Sequence, residues 1–518
     1  MSDSVDCICK KKYFCEINKN ETHMSKKVVI IGGGIAGLSA GIYAAMNGFD
    51  TEIIEMSAVA GGQCTAWNRK GYRFDYCLHW LVGTSKGAFH QIWKETNVIN
   101  SKTEIIDHEI HSRILDNIGN EFIIYSNIDR WEKYLFEIAP EDKASIQKMC
   151  TDMRKSALLE PFALAPELRS PWDYINILPK MLPVFNVIRK FGRMTCSEYF
   201  DKLNFKSKQI KTVFYSLYGN RNFSALAFIF MLGWYNQKNA GYIKGGSYPL
   251  AQRMVEKFNK LGGKLSYKIK VERIIVEYNV AKGVILSNGK IIMADYVIGA
   301  ADGYTTIFNM LEAKYMSKEI DFAYKNWELF TPIVQVSFGV NKVITSDSPN
   351  IINISKGMKI GKTMLENGYS VMNYSFDTTM SPKGKTTIVL RYDSPWKLWE
   401  KIGTKEYKAE KLEIQKDATA YLEKEYPGIT EFIEVIDVAT PRTDVKYTGV
   451  KDGAYEGFMP SKENMMKSLK MKLPGLQNFY MAGQWLFPGG GLPPSAQTGK
   501  WAVQLICKKE KQRFVSDK

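Results

Sequence analysis

Lys27-Val28-Val29-Ile30-Ile31-Gly32-Gly33-Gly34-Ile35-Ala36-Gly37 is the stretch on which the fold turns. The β-branched run from Lys27 to Ile31 reads as a strand buried on both faces, as in a parallel sheet. A glycine loop follows at once. From Ile35 to Asn47 the small residues Ala36, Gly37, Ala40, Gly41 and Ala44 suit a helix lying close on a sheet, and Gly48 ends it. In Gly32-x-Gly34-x-x-Gly37 the first glycine permits a tight turn. The second lets backbone approach a pyrophosphate, and the third lets helix and strand meet. The helix N-terminus, beginning at Ile35 and Ala36, offers unpaired N–H groups and a positive dipole end to phosphate. Thr51-Glu52-Ile53-Ile54-Glu55 is the next strand, and Glu55 stands where a carboxylate meets ribose hydroxyls. The unit reads as a dinucleotide site.

That motif alone does not choose between FAD and NAD. Gly61-Gly62, just after the acidic strand, gives a second close backbone approach and favours the larger cofactor, FAD. A third element lies near the other end of the chain: Ala482-Gly483-Gln484, then Pro488-Gly489-Gly490-Gly491-Leu492-Pro493-Pro494-Ser495. It again feeds backbone amides into a helix N-terminus, here predicted from about Pro494 to Lys508. Such an end can stabilise negative charge developing on a flavin ring; a plain strand–turn–helix is the alternative.

Between these ends the pattern changes twice. Residues 106–240 read as helical and aromatic, punctuated by prolines at 161, 166, 171, 179 and 183. From Gly241 strands return: a helix from Pro249 to Leu261, strands near Leu265–Tyr278 and Ala281–Leu286, and another at Lys290–Ile298. Residues 309–440 alternate strands with a charged helix near Lys405–Tyr426. The expected architecture is α/β: a Rossmann-like FAD-binding domain assembled from the discontinuous segments 27–105, 241–308 and 441–518. An α+β substrate domain, 106–240 and 309–440, is interleaved with it and carries a helical, membrane-facing cap. Residues 1–26 form a polar leader with Cys7, Cys9 and Cys15, expected to be flexible; Met24 is a second candidate start.

Glu55, Gly61-Gly62, Gly71-Tyr72-Arg73-Phe74-Asp75-Tyr76-Cys77-Leu78-His79 and the C-terminal glycine-proline turn together resemble the phytoene desaturase and retinol saturase group, which is similar in fold to amine oxidases. Phe74-Asp75-x-x-x-His79 is particularly similar to the retinol saturases. Tyr242-Ile243-Lys244-Gly245-Gly246, Asp295-Tyr296-Val297-Ile298 and Gly453-Ala454-Tyr455-Glu456-Gly457 match the group as well. The resemblance covers the dinucleotide segments well and the middle poorly. It implies FAD held by Gly32, Gly34, Ile35, Ala36, Gly37, Glu55, Gly61, Gly62, Gln63, Ile274, Gly483, Gln484, Gly490, Gly491 and Leu492. Gln63 departs from the arginine common in the group and offers only neutral donors. Cys77 stands where the group has a small glycine.

His79 is the candidate catalytic residue, a proton-transfer or substrate-holding group beside the flavin; a core histidine is the alternative. Phe74 would lie beneath the ring and Asp75 would fix the turn. A reactive role for Cys64 or Cys77 needs a lowered thiol pKa. His108-x-x-His111 lacks a third ligand, so no metal site is expected.

The 518 residues carry a net charge of +16 with 45% hydrophobic and 24% charged residues, an ordinary globular balance with attraction to anionic surfaces. No nucleic-acid module is visible. Eight scattered cysteines fit a reducing cytosol. The longest apolar run, Phe223–Tyr235, is short of the roughly 20 residues that span a membrane and reads as core. Pro171–Arg193 differs. Trp172, Tyr174, Ile175, Ile177, Leu178, Met181, Leu182, Val184, Phe185, Val187 and Ile188 are interleaved with Lys180, Arg189, Lys190 and Arg193. That mixture suits an interfacial helix touching anionic lipid, or a lid over the substrate cavity.

The first functional reading is an FAD-dependent oxidoreductase acting on carbon–carbon bonds of a lipophilic polyene or isoprenoid-like substrate. It would desaturate, saturate or isomerise by flavin hydride transfer. An amine oxidase-like flavoenzyme is the second, and a non-catalytic lipid- or prenyl-binding protein of the same fold the third.

Overall fold

Val28, Val29 and Ile30 are wholly buried because their strand lies in the middle of a sheet. Lys27–Ile31 pairs in parallel with Asp50–Ile54 on one side and Tyr296–Gly299 on the other. The full order is Phe479–Met481, Tyr296–Gly299, Lys27–Ile31, Asp50–Ile54, Lys264–Ser266. Three stretches of chain far apart in sequence thus supply one five-stranded sheet. The computed structural model describes residues 25–116, 119–156, 163–219 and 222–517; Cys7, Cys9, Cys15 and Pro161, and the side chains of Ile177, Lys180 and Met181, lie outside what it describes.

Two helices rest on one another above this sheet. Ile35–Met46 follows the glycine loop, and Leu492–Lys509 closes the chain's last turn. At their crossing a Cβ on Gly499 would stand 2.4 Å from the Ala36 carbonyl oxygen, so the approach requires glycine. Beside it Lys500 donates to Glu95 at 2.6 Å, a pair buried between the C-terminal helix and Gly87–Glu95, and the Tyr43 hydroxyl donates to the same carboxylate.

The single strand anticipated near Leu265–Tyr278 is two. Lys264–Ser266 ends the parallel sheet; the chain then turns at Lys268, whose φ is positive, with the Lys268 and Ile269 amides donating to the Ser57 and Glu55 carbonyls. Val271–Glu277 starts a separate antiparallel sheet with Val280–Leu286 and Ile291–Met293. Tyr278 and Asn279, both at positive φ, make the tight hairpin turn between its first two strands.

The stretch expected to be helical from residue 106 opens instead with strands, Ile110–Leu115 and Glu121–Tyr125. Burial alternates along both, as on a strand with one face against the core. They complete a seven-stranded sheet: Ile433–Ala439, Ile333–Val340, Thr386–Asp393, Tyr369–Asn373, Asn350–Asn353, Ile110–Leu115, Glu121–Tyr125. Helix Thr404–Glu425 covers one face through Ile414, Ala418 and Leu422. Helices from Ile128 to Asn236 then pack around Trp131, Phe200 and Phe214. Ala225–Asn236, from the longest apolar run, is a core helix. Among the described residues no helix is long and apolar enough to cross a membrane.

Candidate active site

The glycine loop is tied into a knot of short bonds. Gly32 N–H donates to the Ile54 carbonyl at 2.9 Å, and Gly61 N–H to the Gly33 carbonyl at 2.8 Å. Glu55 receives the Gly33 N–H at 2.7 Å on one carboxylate oxygen and the Ser57 N–H at 2.7 Å on the other. Each oxygen keeps a second lone pair for an outside hydroxyl. Gly34 bridges to Gly61, and a Cβ on Gly62 would lie 3.2 Å from the Gly34 Cα. Gly37 is required by contact: its Cβ would be 1.9 Å from the Gly32 carbonyl oxygen. Gly34 is not crowded; its Cβ would meet only the Gly62 Cα, at 3.9 Å. A space therefore opens beside Gly34 at the N-terminus of Ile35–Met46. Gly483 borders the same place, since its Cβ would meet only the Ala36 Cβ, also at 3.9 Å.

Gln63 and Gln484, 421 residues apart in sequence, join here. The Gln484 amide donates to the Gln63 Oε1 at 3.1 Å, and the Gln63 Nε2 donates to Asp444 at 2.7 Å. Asp444 also receives the Tyr76 hydroxyl at 3.2 Å, and burial pushes its carboxyl up to about 6. Gly491 caps the C-terminal helix at positive φ and Leu492 begins it. Gly490 has a different need: a Cβ there would stand 2.1 Å from the Glu456 carbonyl oxygen, so it is glycine to let two chain segments pass. The Glu456 carboxyl beside Gly491 is pushed up to about 7 by burial. Ile274 is buried in the antiparallel sheet, opposite Val284.

Asp75 holds the turn leading to His79, as its position in the sequence implies. Its Oδ1 accepts the N–H groups of Cys77 at 3.0 Å and Leu78 at 2.9 Å and the Ser247 hydroxyl at 2.6 Å, and its Oδ2 accepts the Ser247 N–H at 2.6 Å. Gly246 must be glycine because a Cβ would fall 2.1 Å from Asp75 Oδ2. Phe74 is wholly buried, cross-strand from Trp67.

His79 Nδ1 lies 2.6 Å from the Cys77 carbonyl oxygen, which can only accept; Nδ1 therefore carries the proton and Nε2 is left as an acceptor. Arg391 Nη1 stands 3.4 Å from the same Nδ1. Two donors cannot share that contact, so the arginine acts there as a charge. Burial, then this guanidinium, hold the imidazole well below its usual range. His79 is neutral, which removes the role of general acid at neutral pH. Cys64 is no reactive thiol: its hydrogen bond with Cys77 and its burial push it up.

A cavity of about 620 Å³ begins at His79. Its interior is aromatic, with Trp80, Tyr235, Tyr242, Tyr374 and Phe376 among its walls. His108 meets Phe376 edge-on at 4.5 Å and His111 meets Tyr235 edge-on at 4.5 Å. Burial brings both imidazoles down to about 4, so they too are neutral. Charge sits only at the exposed rim, where Glu109 pairs with Arg130 and Lys238 lies near Asp107.

Sequence reasoning missed Arg391, Asp444 and Tyr374. Arg391 had a signal: it interrupts the apolar strand Thr386–Asp393. Buried, it donates to Gln335 at 2.8 Å and to the carbonyls of Asp75 and Tyr76 at 2.9 and 3.0 Å, strapping the turn that carries His79.

The model of the flavin containing amine oxidoreductase family matches residues 35–507. Among curated proteins the chain is similar to prolycopene isomerase 1, chloroplastic, of an Oncidium hybrid cultivar, at 24% identity over 95% of this chain and 85% of that one. It is 21% identical to a 4,4'-diapophytoene desaturase of a Methylomonas species, over 95% and 97% respectively. Among solved structures a putrescine oxidase bound to putrescine shares the fold, with a TM-score of 0.60 at 14% identity, covering 93% of this chain and 99% of that one. With its glycine loop on a parallel sheet and a family match over nearly its whole length, the chain belongs to the flavin-containing amine oxidoreductase family, and it is an oxidoreductase whose cofactor is FAD.

Proposed function

We propose that this enzyme oxidises a carbon–carbon bond in a lipophilic polyene or isoprenoid-like substrate. The observation that carries the reading is the cavity at His79: an aromatic interior of neutral side chains, with the charged groups confined to the rim, where Glu109 pairs with Arg130. Ligand pockets of about 300–1,000 Å³ with apolar walls and few polar groups are the usual small-molecule sites. The carotenoid-related names of the sequence relatives support the same substrate class. An amine oxidase-like enzyme would also use aromatic walls, so it is the carotenoid-related names of the relatives that favour the polyene reading over that one.

The residues around Gly34 fit FAD. The space beside Gly34 and Gly483 lies at a helix N-terminus, where N–H groups can meet pyrophosphate, and Glu55 is placed for ribose. Gly61, Gly62, Gln63 and Gln484 would line the cofactor's course toward the C-terminal turn, and Gly491 and Leu492 would present amides to its ring. FAD supplies the hydride-transfer chemistry. The chain's part is to place the substrate in a dry cavity, with His79 Nε2 positioned to accept a proton. Anaerobic mixing of the FAD-loaded protein with a panel of polyenes, followed by chromatography and mass spectrometry of extracts, tests this. Flavin bleaching by amines and by no polyene would reject it.

The helix Pro171–Phe191 is proposed as the membrane contact. Trp172 (70% exposed), Tyr174, Ile175, Leu178, Leu182 and Phe185 (59% exposed) face outward, while Val184, Val187 and Phe191 are buried. Exposed Arg189 and Arg193 follow at its end. An apolar face beside basic residues matches an anionic lipid surface from which a lipophile would enter.

A further inference from the structure

Gly453-Ala454-Tyr455-Glu456-Gly457 sets one acid among small and aromatic residues. Among the described residues no ion pair and no hydrogen bond reaches the Glu456 carboxyl. Its backbone is pinned. Phe330 N–H donates to the Gly457 carbonyl at 3.0 Å, Gly489 N–H donates to the Phe458 carbonyl at 2.8 Å, and Gly490 passes against the Glu456 carbonyl. On the side-chain end, Oε1 would lie 3.6 Å from a Cβ on Gly491, the residue that caps helix Leu492–Lys509. Glu456 lies deep enough for burial to push its carboxyl up to about 7. Yet the residue is only partly buried, and its oxygens are not among the sealed, unpartnered atoms of the interior. A deep carboxyl with accessible surface and no partner borders a hollow, and this one does so at the helix end assigned to the flavin ring. The titratable groups on the neighbouring segments are committed elsewhere. Asp444 is held by Gln63 and Tyr76, Asp302 by the Thr305 and Lys451 amides, and the Lys451 ammonium by Asp452. The Tyr324 phenol, stacked on Trp485, is pushed up by burial and stays neutral.

Resting on the placement of the flavin ring at the C-terminal turn, we propose that Glu456 takes up a proton from solvent when the flavin is reduced. A hydride brings the flavin two electrons and one proton, so the cofactor gains one negative charge. The helix N-terminus beside Gly491 offsets part of that charge through its dipole and free amides. A carboxylate at the same place would oppose it. By binding one proton the Glu456 carboxylate becomes neutral, and the site's net charge is the same before and after the hydride arrives. A nearby like charge raises a carboxyl by about one pKa unit or more, which is roughly tenfold in the coupled equilibrium. The sign follows from where the carboxyl titrates. With the flavin oxidised it is ionised above about pH 7 and neutral below, so the uptake belongs to the alkaline side and vanishes on the acid side.

The test is a potentiometric titration of the FAD-loaded full chain from pH 6 to pH 9, wild type beside Glu456→Gln. It needs no substrate, so it stands apart from the substrate class. At pH 6 the neutral acid and the amide should give nearly the same flavin potential. Above pH 7 the wild-type potential should fall more steeply, until the variant is roughly tenfold easier to reduce, or about 30 mV higher, by pH 9. A merely structural role would give no gap that grows with pH. Infrared difference spectra of wild type alone supply a second reading, which stands even where the variant loses FAD. Reduction at pH 8.5 should bring up a protonated-carboxyl band, and reduction at pH 6 should not. Potential–pH lines that run parallel but apart, or no such band at pH 8.5, would overturn the proton uptake while leaving the ring beside Glu456. Lines that coincide at every pH would remove the ring from the C-terminal turn, and this inference with it.

Discussion

Two glycines three residues apart should fail in different ways when given a methyl group. A Cβ on Gly37 would stand 1.9 Å from the Gly32 carbonyl oxygen, more than 1 Å inside any real contact of this kind. Strand and helix must separate there, and overpacking of this sort costs about 1–3 kcal/mol or more. Gly34 has φ −70° and ψ −178°, a conformation open to any residue, and its Cβ would meet nothing closer than 3.9 Å. Gly34→Ala should therefore leave the apoprotein's melting temperature almost unchanged, the weaker N-cap costing at most about 1 kcal/mol. The methyl would instead occupy the space assigned to the pyrophosphate. Losing one charge-assisted N–H to phosphate bond is worth about 1.5–3 kcal/mol, or roughly 10- to 150-fold in Kd. The assay pairs thermal melts of the apoproteins with FAD titration by quenching of protein fluorescence. Gly37→Ala should lower the melt and lose FAD together. A Gly34→Ala protein that folds and binds FAD within threefold of wild type would show that the open space beside Gly34 is not where the pyrophosphate lies.

Glu95→Gln removes one partner of the buried pair with Lys500 and should cost about 3–5 kcal/mol in urea unfolding, without altering substrate specificity; a loss below 1 kcal/mol would refute it. Asp444 is raised from 3.8 to about 6, so the fold holds a proton that the unfolded chain releases, and its contribution is present below about pH 4 and lost as pH rises through 6. Asp444→Asn should gain on wild type by up to about 3 kcal/mol between pH 4 and pH 7 in the apoprotein, at about 1.4 kcal/mol per pKa unit; parallel stability curves would contradict this. His79 is held neutral, so turnover should show no histidine titration from pH 6 to 8; His79→Gln should lose about 100-fold or more if proton acceptance matters, and little if the residue only positions substrate. Flotation with anionic liposomes should capture the protein at low salt and release it as charge is screened, and Phe185→Asp should abolish capture.

Much of this fold is written in local pattern. The loop Gly32–Gly37 and the strand ending at Glu55 could be read because each position answers a short-range demand: a turn, a contact, a ribose. The C-terminal turn was legible for the same reason, although Gly490 also answers a chain crossing that its motif does not announce. What escaped was long-range. Ile110–Leu115 pairs with Asn350–Asn353, and nothing within either strand announces the other. Asp444 matters through Gln63, and Tyr374 through the space its ring faces. Such roles arise only when distant segments meet. The strand after Leu265 was misread because Lys268, a residue with no turn preference, takes the positive φ that splits it.

The direction proposed for the reaction rests on where charge is fixed. Oxidising or reducing a carbon–carbon bond moves one hydride and one proton. Reduction needs a group that arrives protonated and gives its proton to carbon. His79 cannot be that group, because its Nδ1 proton is committed to the Cys77 carbonyl and Nε2 carries none. To protonate Nε2 beforehand would place a second positive charge beside the Arg391 guanidinium. Oxidation asks the opposite: a vacant lone pair facing the substrate. Carbon that has lost a hydride is strongly acidic, so even a weak base suffices. The imidazolium so formed would be unstable next to the guanidinium and would have to release its proton before the next cycle. On that proposal, the arginine that secures the turn would also return the base to its neutral form. Arg391→Met would remove the repulsion and the donors that strap the turn, but not the burial that is the larger cause of the histidine's lowered pKa. Its pH profile should therefore still show no histidine titration between pH 6 and 8 while turnover falls; a titration appearing there would make the guanidinium, not burial, the dominant cause.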